Sequence, residues 1–127
     1  MSPAGAQVLE ARGRKSGKLQ TVPVNPIEVG GQRYLVAPRG ETQWVRNVRA
    51  AGEGTLRVGG RSERIAGREI PDADKPPVLR AYLDKYYRQV GAQFGVPKDV
   101  TLDQLADIAG NHPVFRIDRP DAGSRHK

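Results

Sequence analysis

Gln7-Val8-Leu9-Glu10-Ala11-Arg12-Gly13-Arg14-Lys15-Ser16-Gly17-Lys18-Leu19-Gln20-Thr21-Val22-Pro23 is the stretch from which the fold is read. Gly13 and Gly17 bracket three polar residues, two of them cationic, and Lys18 closes the turn. On either side the chain reads as extended. Gln7 to Arg12 makes a first strand with Val8 and Ala11 partly inward, and Leu19 to Val29 makes a second. Pro23 and Pro26 interrupt that second strand. Proline cannot donate to a ladder, so the strand is expected to bend and to leave part of its edge open. A tight turn with free backbone N–H groups and fixed positive charge suits a phosphate-bearing ligand. It equally suits a solvated basic hairpin turn, and the flanks must decide.

Outward from the second strand, Gly30-Gly31 signals a hairpin, and Gln32 to Ala37 returns as a buried strand. Pro38-Arg39-Gly40 ends it sharply. Thr42 is placed to cap a helix over Gln43 to Ala51, which Gly52 and Gly54 stop. Thr55 to Val58 and Arg61 to Glu69 alternate across Gly59-Gly60 as a hairpin, with Leu56 and Val58 inward and Arg57, Arg61 and Arg64 on a solvated face. Pro76 and Pro77 start a helix over Val78 to Val90, with Leu79, Tyr82, Leu83 and Tyr86 as its apolar stripe. Gly91 to Pro97 reads as a loop carrying Phe94. Thr101 and Gln104 stand at capping-box spacing ahead of Leu102, Leu105 and Ile108, and Pro113 to Ile117 is a last strand.

This order predicts an α+β fold: about six mainly antiparallel strands, able to close into a small barrel, with two to three helices. The 127 residues make one domain, expected over residues 7–118 between a flexible segment 1–6 and a polar tail 119–127. With no cysteine and only His112 and His126, far apart, no metal site is expected. No run approaches the roughly 18 apolar residues of a membrane span, so the expectation is a cytoplasmic protein without stable membrane insertion. The net charge of +7 favours anionic ligands, nucleic acid or an anionic surface without choosing among them.

The residues weigh against several chemistries. A nucleotide P-loop needs four residues before Gly-Lys and then Ser or Thr; here three intervene, Leu19 follows Lys18, and a strand follows in place of a helix. Nucleophilic catalysis lacks a cysteine and a Gly-x-Ser-x-Gly elbow. Aromatic residues do not interleave with the arginines as stacking platforms for single-stranded nucleic acid would. If the chain is an enzyme, the reactive chemistry belongs to a bound cofactor.

Gly13-Arg14-Lys15-Ser16-Gly17-Lys18 through Pro23, then Val36-Ala37-Pro38-Arg39-Gly40, then Trp44-x-x-Asn47-x-Arg49-Ala50 resemble the deazaflavin-dependent nitroreductase family, across nearly the whole chain. The resemblance implies a flavin-reductase-like split β-barrel and coenzyme F420, an 8-hydroxy-5-deazaflavin with a phosphate and an oligoglutamate tail; FMN is the alternative cofactor. It implies phosphate contacts from Arg14, Lys15 and Ser16. A ring site would be bordered by Gln20, Thr21, Val22 and Pro23, by Ala37, Pro38, Arg39 and Gly40, and by Trp44 and Asn47. Tyr82, Tyr86 and Tyr87 resemble the family's substrate-facing tyrosines, with Tyr86 the candidate proton donor. No other catalytic residue is singled out.

The departures are specific. Leu19-Gln20 stands where relatives carry a basic residue, and the stretch from Arg39 to Trp44 is shorter than in many members. No counterpart of the amphipathic N-terminal helix of some members is expected, which makes membrane association less expected. The activity implied is hydride transfer from reduced F420 to an apolar, electron-poor acceptor (an activated alkene, quinone or nitro compound) by a monomer or homodimer. A non-catalytic deazaflavin or flavin carrier and a basic nucleic-acid-binding β-domain are the alternatives.

Overall fold

The computed structural model describes residues 7–13 and 17–120. Segment 1–6, the turn residues Arg14, Lys15 and Ser16, and the tail from 121 on lie outside the described residues. In chain order the strands are β1 (Gln7–Arg12), β2 (Leu19–Val24), β3 (Ile27–Val29), β4 (Gln32–Val36), β5 (Glu53–Val58), β6 (Arg61–Glu69) and β7 (Val114–Asp118). The helices are α1 (Gln43–Ala51), α2 (Lys75–Phe94) and α3 (Leu102–Ile108), with single 3-10 turns at Asp72–Asp74 and Ala109–Asn111.

The extended stretch Leu19 to Val29, expected as one bent strand, is two strands at opposite edges of the sheet. The order is β2-β1-β5-β6-β7-β4-β3, with every neighbouring pair antiparallel. Seven strands laid flat would hold β2 and β3 nearly 30 Å apart, about 4.8 Å per strand spacing. Yet Val24 and Ile27 are joined by Asn25 and Pro26 alone, a reach of at most about 11 Å. The sheet therefore curls until its edges meet at this corner. Because β2 and β3 share no ladder, the barrel stays split. Pro23 lies in an edge strand, the position a residue without an N–H tolerates.

Two cores result from strands that bury both faces. Leu35 and Ala37 join Leu9, Leu56, Ile65 and Phe115 against Val45 and Val48 of α1. Val36, from the alternate face of the same run, joins Ile27 and Val114 against Leu79, Tyr82 and Leu83 of α2 and Leu105 of α3. Among the described residues no helix is long and apolar enough to cross a membrane.

Several side chains differ from the sequence reading. In β1 the inward residues are Leu9 and Ala11, while Val8 is 37% exposed; residues three apart cannot share a strand face. Val58 has the parity of buried Leu56 but is exposed at the strand tip, past the Val8–Arg57 pair. In α3, Leu105 is buried and Leu102 exposed, because the helix lays only one narrow stripe on α2. Helix α2 continues past Val90 to Phe94 and is capped by Gly95, so Phe94 is a core residue of the helix. Gly91 fits there for a steric reason: a Cβ would come within 2.6 Å of the Tyr87 ring. The helix also departs from helical dihedrals at Tyr86 (φ −119°, ψ 16°).

Candidate functional site

The corner where the barrel splits opens into a cleft of about 350 Å³. Its walls come from four places: Val22 to Asn25 on β2 and beyond it, Val36, Pro38 and Arg39 at the end of β4, Thr42 and Trp44 at the start of α1, and Tyr82, Val90 and Gln93 on α2. The lining is mostly apolar, with few polar groups, the pattern of a small-molecule site.

Those polar groups are unsatisfied or held in one state. Thr42 was expected to cap α1 with its side chain. Its backbone carbonyl accepts from Arg46 N at 3.2 Å, but the side chain makes no capping bond. Thr42 Oγ1 is buried without a hydrogen-bond partner among the described residues. Such an atom costs free energy until a ligand satisfies it. Arg39 is exposed on the rim and makes no ion pair among the described residues, unlike Arg33, Arg49, Arg57 and Arg64, which bridge to carboxylates. The Tyr82 hydroxyl is pushed up to about 12, by burial first and then by Tyr86, against a hydrogen bond from Asn25. It therefore stays protonated and able to donate.

Of the residues singled out from sequence, Val22, Pro23, Pro38, Arg39, Trp44 and Tyr82 line this cleft. Ala37 and Gly40 are buried in the turn behind Pro38 and Arg39. Gln20, Thr21 and Asn47 border a separate space of about 40 Å³, with Val22 and Trp44 forming walls of both. Tyr86 and Tyr87 line neither. Tyr86 donates its hydroxyl to the Pro26 carbonyl at 3.1 Å, and Tyr87 to the Val96 carbonyl at 2.7 Å, so both phenols fasten α2 to loops. Asn25, Thr42, Val90 and Gln93 carried no signal in the sequence as cleft residues, because nothing local tells a loop or helix residue which wall it will form.

Arg14, Lys15 and Ser16 lie outside the described residues, but both ends of their turn are in place. Gly13 N donates to Lys18 O at 2.8 Å, Gly17 N to Gly13 O at 2.9 Å, and Arg12 Nη1 to Gly17 O at 2.7 Å. β2 then runs from the turn to the cleft, about 13 Å from Lys18 to Val22 at ~3.3 Å per residue.

A curled antiparallel half-barrel with an apolar cleft at its split is a flavin-reductase-like split barrel, of the class that binds flavins and deazaflavins. The chain belongs to the F420H(2)-dependent quinone reductase family, whose model matches residues 2–102. It is an F420-dependent oxidoreductase with F420 as its cofactor. Among solved structures, an F420-H2 dependent reductase (FDR-A) superposes with a TM-score of 0.61 at 20% identity, over 91% of this chain and 95% of that one. A chain described as a domain-swapped dimer gives 0.61 at 19% identity, over 92% and 82%. A putative pyridoxamine 5'-phosphate oxidase from Listeria innocua gives 0.60 at 10%, over 91% and 84%. At these identities the likeness is one of fold. No curated protein matches the chain.

The cleft fits a deazaflavin. A flat ring with polar edges suits an apolar slot holding, among the described residues, one unpartnered hydroxyl and one unpaired cation at its rim. Arg39, Thr42 and Trp44 are the residues that would hold it there, with the basic turn at the far end of β2.

Proposed function

We propose that this protein reduces an apolar, electron-poor acceptor (a quinone, an activated alkene or a nitro compound) with hydride taken from reduced F420. The observation that carries the reading is the cleft itself, an apolar slot at the barrel's split in which Thr42 Oγ1 is left without a partner. The chemistry that reduced F420 supplies when bound is hydride transfer.

The chain's own residues bind, orient and exclude water. Arg14, Lys15 and Ser16 take the phosphate, where charge-assisted hydrogen bonds are strong. Trp44 and Pro38 present flat apolar surface to the ring, and Thr42 offers its hydroxyl to a polar ring atom. Val22, Val24, Val36 and Val90 keep the slot dry and favour an apolar acceptor. Tyr82, protonated and facing the slot, hydrogen-bonds the acceptor's oxygen as charge develops there; solvent supplies the proton. Tyr86 is not given the donor's role, since its hydroxyl is engaged by Pro26. A cytoplasmic location and a homodimer complete the proposal, the latter supported by the similar fold described as a domain-swapped dimer.

The test is a fluorescence titration of the purified protein with oxidised F420 and then with FMN. Saturable binding of F420 in preference to FMN is expected, followed by acceptor-dependent oxidation of reduced F420 by quinone, cyclohexenone or a nitroarene. Binding of neither cofactor would sink the reading, and binding without turnover of any acceptor would reduce it to the cofactor assignment.

A further inference from the structure

His112 takes no part in the function above and lies beyond the residues that the family model matches. It is 5% exposed and stands between two walls of the cleft. On one side its Nδ1 is 3.1 Å from the Ala37 carbonyl oxygen. A carbonyl only accepts, so the contact assigns the proton to Nδ1. The same carbonyl accepts from Gly40 N at 3.1 Å, closing the turn that carries Pro38 and Arg39 into the cleft. On the other side the imidazole stacks on Phe94, with centroids 4.1 Å apart and planes 23° from parallel. Phe94 ends α2, the helix that supplies Tyr82, Val90 and Gln93 to the opposite wall, and its ring is 6.1 Å from that of Tyr82.

Backbone contacts grip the same turn at both ends. Ala37 N donates to Pro113 O at 3.0 Å. Gly40, at φ +82°, lies so close to Asn111 that a Cβ would stand 2.9 Å from its carbonyl oxygen. The segment Asn111–Pro113 thus fixes the turn, and the side chain of its central residue extends that grip to α2.

We propose that His112 is a positioning residue that sets the width of the cofactor cleft by tying the Ala37–Gly40 turn to the C-terminal end of α2. The proposal rests on the cofactor assignment above. The imidazole is neutral in this role. Burial holds its pKa below the usual histidine range, against the hydrogen bond to Ala37, and nearby Lys75 acts in the same direction as burial. Lys75 is itself buried, with Nζ on the Ala109 carbonyl at 2.9 Å and on Asp72 at 2.7 Å. Arg39 on the turn and Glu41 just past it are exposed, and α2 faces the ring with Phe94. Protonation of His112 would set a second cation near Lys75.

Two variants separate the halves of the clamp. His112→Phe keeps the stack and removes the donor; His112→Gln keeps an N–H within reach of Ala37 and removes the stack. Oxidised F420 should bind H112F about 5–20-fold more weakly, the loss of one buried hydrogen bond, and H112Q should recover part of that affinity. In the cofactor-free protein, acrylamide should quench Trp44, the sole tryptophan, more readily in H112F as the cleft widens. Leu105→Ala, a core truncation under α3, is the control for lost stability alone. Wild-type affinity and quenching in H112F overturn the proposal, as does an affinity loss that merely tracks Tm across H112F, H112Q and L105A. If H112F fails to fold, H112Q carries the test by the same readouts. If the wild type binds no F420, the cofactor assignment falls, while Trp44 quenching still decides the clamp.

Discussion

Asn47 donates its Nδ2 to Gln20 Oε1 at 3.0 Å, joining α1 to the edge strand β2 beside the small space that Trp44 shares with the cleft. The sequence reading singled out Gln20 as a neutral residue just past the basic turn. Its oxygen is occupied by Asn47, which leaves the amide N–H groups as its donors. A neutral side chain is thus oriented by a residue on a helix 27 positions away in sequence.

Asn47 is 1% exposed, so its truncation leaves the Gln20 amide without this partner. Asn47→Ala should lower unfolding free energy by about 1–3 kcal/mol. Urea denaturation measures this, and an unchanged midpoint would show that the contact carries no net stability.

Thr42 gives the opposite balance. Its buried hydroxyl has no partner among the described residues, so Thr42→Val should leave the ligand-free protein as stable or slightly more so. F420 affinity should nevertheless fall about 5-fold, the value of one neutral hydrogen bond. Parallel thermal melts and fluorescence titrations read the two effects apart.

Tyr82 and Tyr86 are a turn apart and should behave differently. Tyr82→Phe removes the hydroxyl that faces the slot, and kcat/KM for a quinone should drop about 5–20-fold, with cofactor affinity little changed. Tyr86→Phe leaves the Pro26 carbonyl without that donor and should cost about 1 kcal/mol of stability, with kcat/KM retained. With the Tyr82 hydroxyl pushed up to about 12, no Tyr82 limb should enter the rate profile between about pH 7 and pH 10.

The sign of the His112 shift sets a pH dependence of folding. The unfolded chain takes up its proton near the ordinary value of about 6.5. The folded chain takes it up only at lower pH, since burial and then Lys75 disfavour the imidazolium against the Ala37 hydrogen bond. Between those values the unfolded state holds more protons, so stability rises with pH. The contribution is fully present above about 6.5 and is lost as pH falls through the depressed folded value. Urea midpoints across this window should decline toward acid in the wild type and decline less in His112→Phe.

The basic turn is tested by Arg14→Ala with Lys15→Ala. Removing two charged donors should weaken F420 binding by about 2–4 kcal/mol, allowing for overlap between them. Unchanged affinity by fluorescence titration would move the phosphate site elsewhere.

Local chemistry made much of this molecule legible from sequence. Helix α1 spans Gln43–Ala51 as read, because Thr42 and Gly52 bound it and short-range hydrogen bonding decides a helix. The β5–β6 hairpin follows from alternation around Gly59-Gly60, with Val58 opposite Arg61. The Thr101–Gln104 capping box forms reciprocally, at 3.2 and 3.0 Å. The three family motifs also lie in short stretches, which is why the deazaflavin class is legible in the sequence.

What only the tertiary structure decided is non-local. Nothing within Leu19 to Val29 states that its halves join opposite edges of one sheet, since that depends on where β1 and β4 find partners. The cleft exists because those edges meet, so Asn25, Val90 and Gln93 became wall residues through the curl of the sheet. Thr42 stands at the N-cap of α1, but its hydroxyl makes no capping bond and has no partner among the described residues. Tyr86, the candidate donor, gives its hydroxyl to the Pro26 carbonyl 60 positions away. His112, noted in the sequence only for its distance from His126, stands between the turn and α2. Residue type and spacing determine which bonds a side chain can make, whereas burial and distant partners determine which ones it does make.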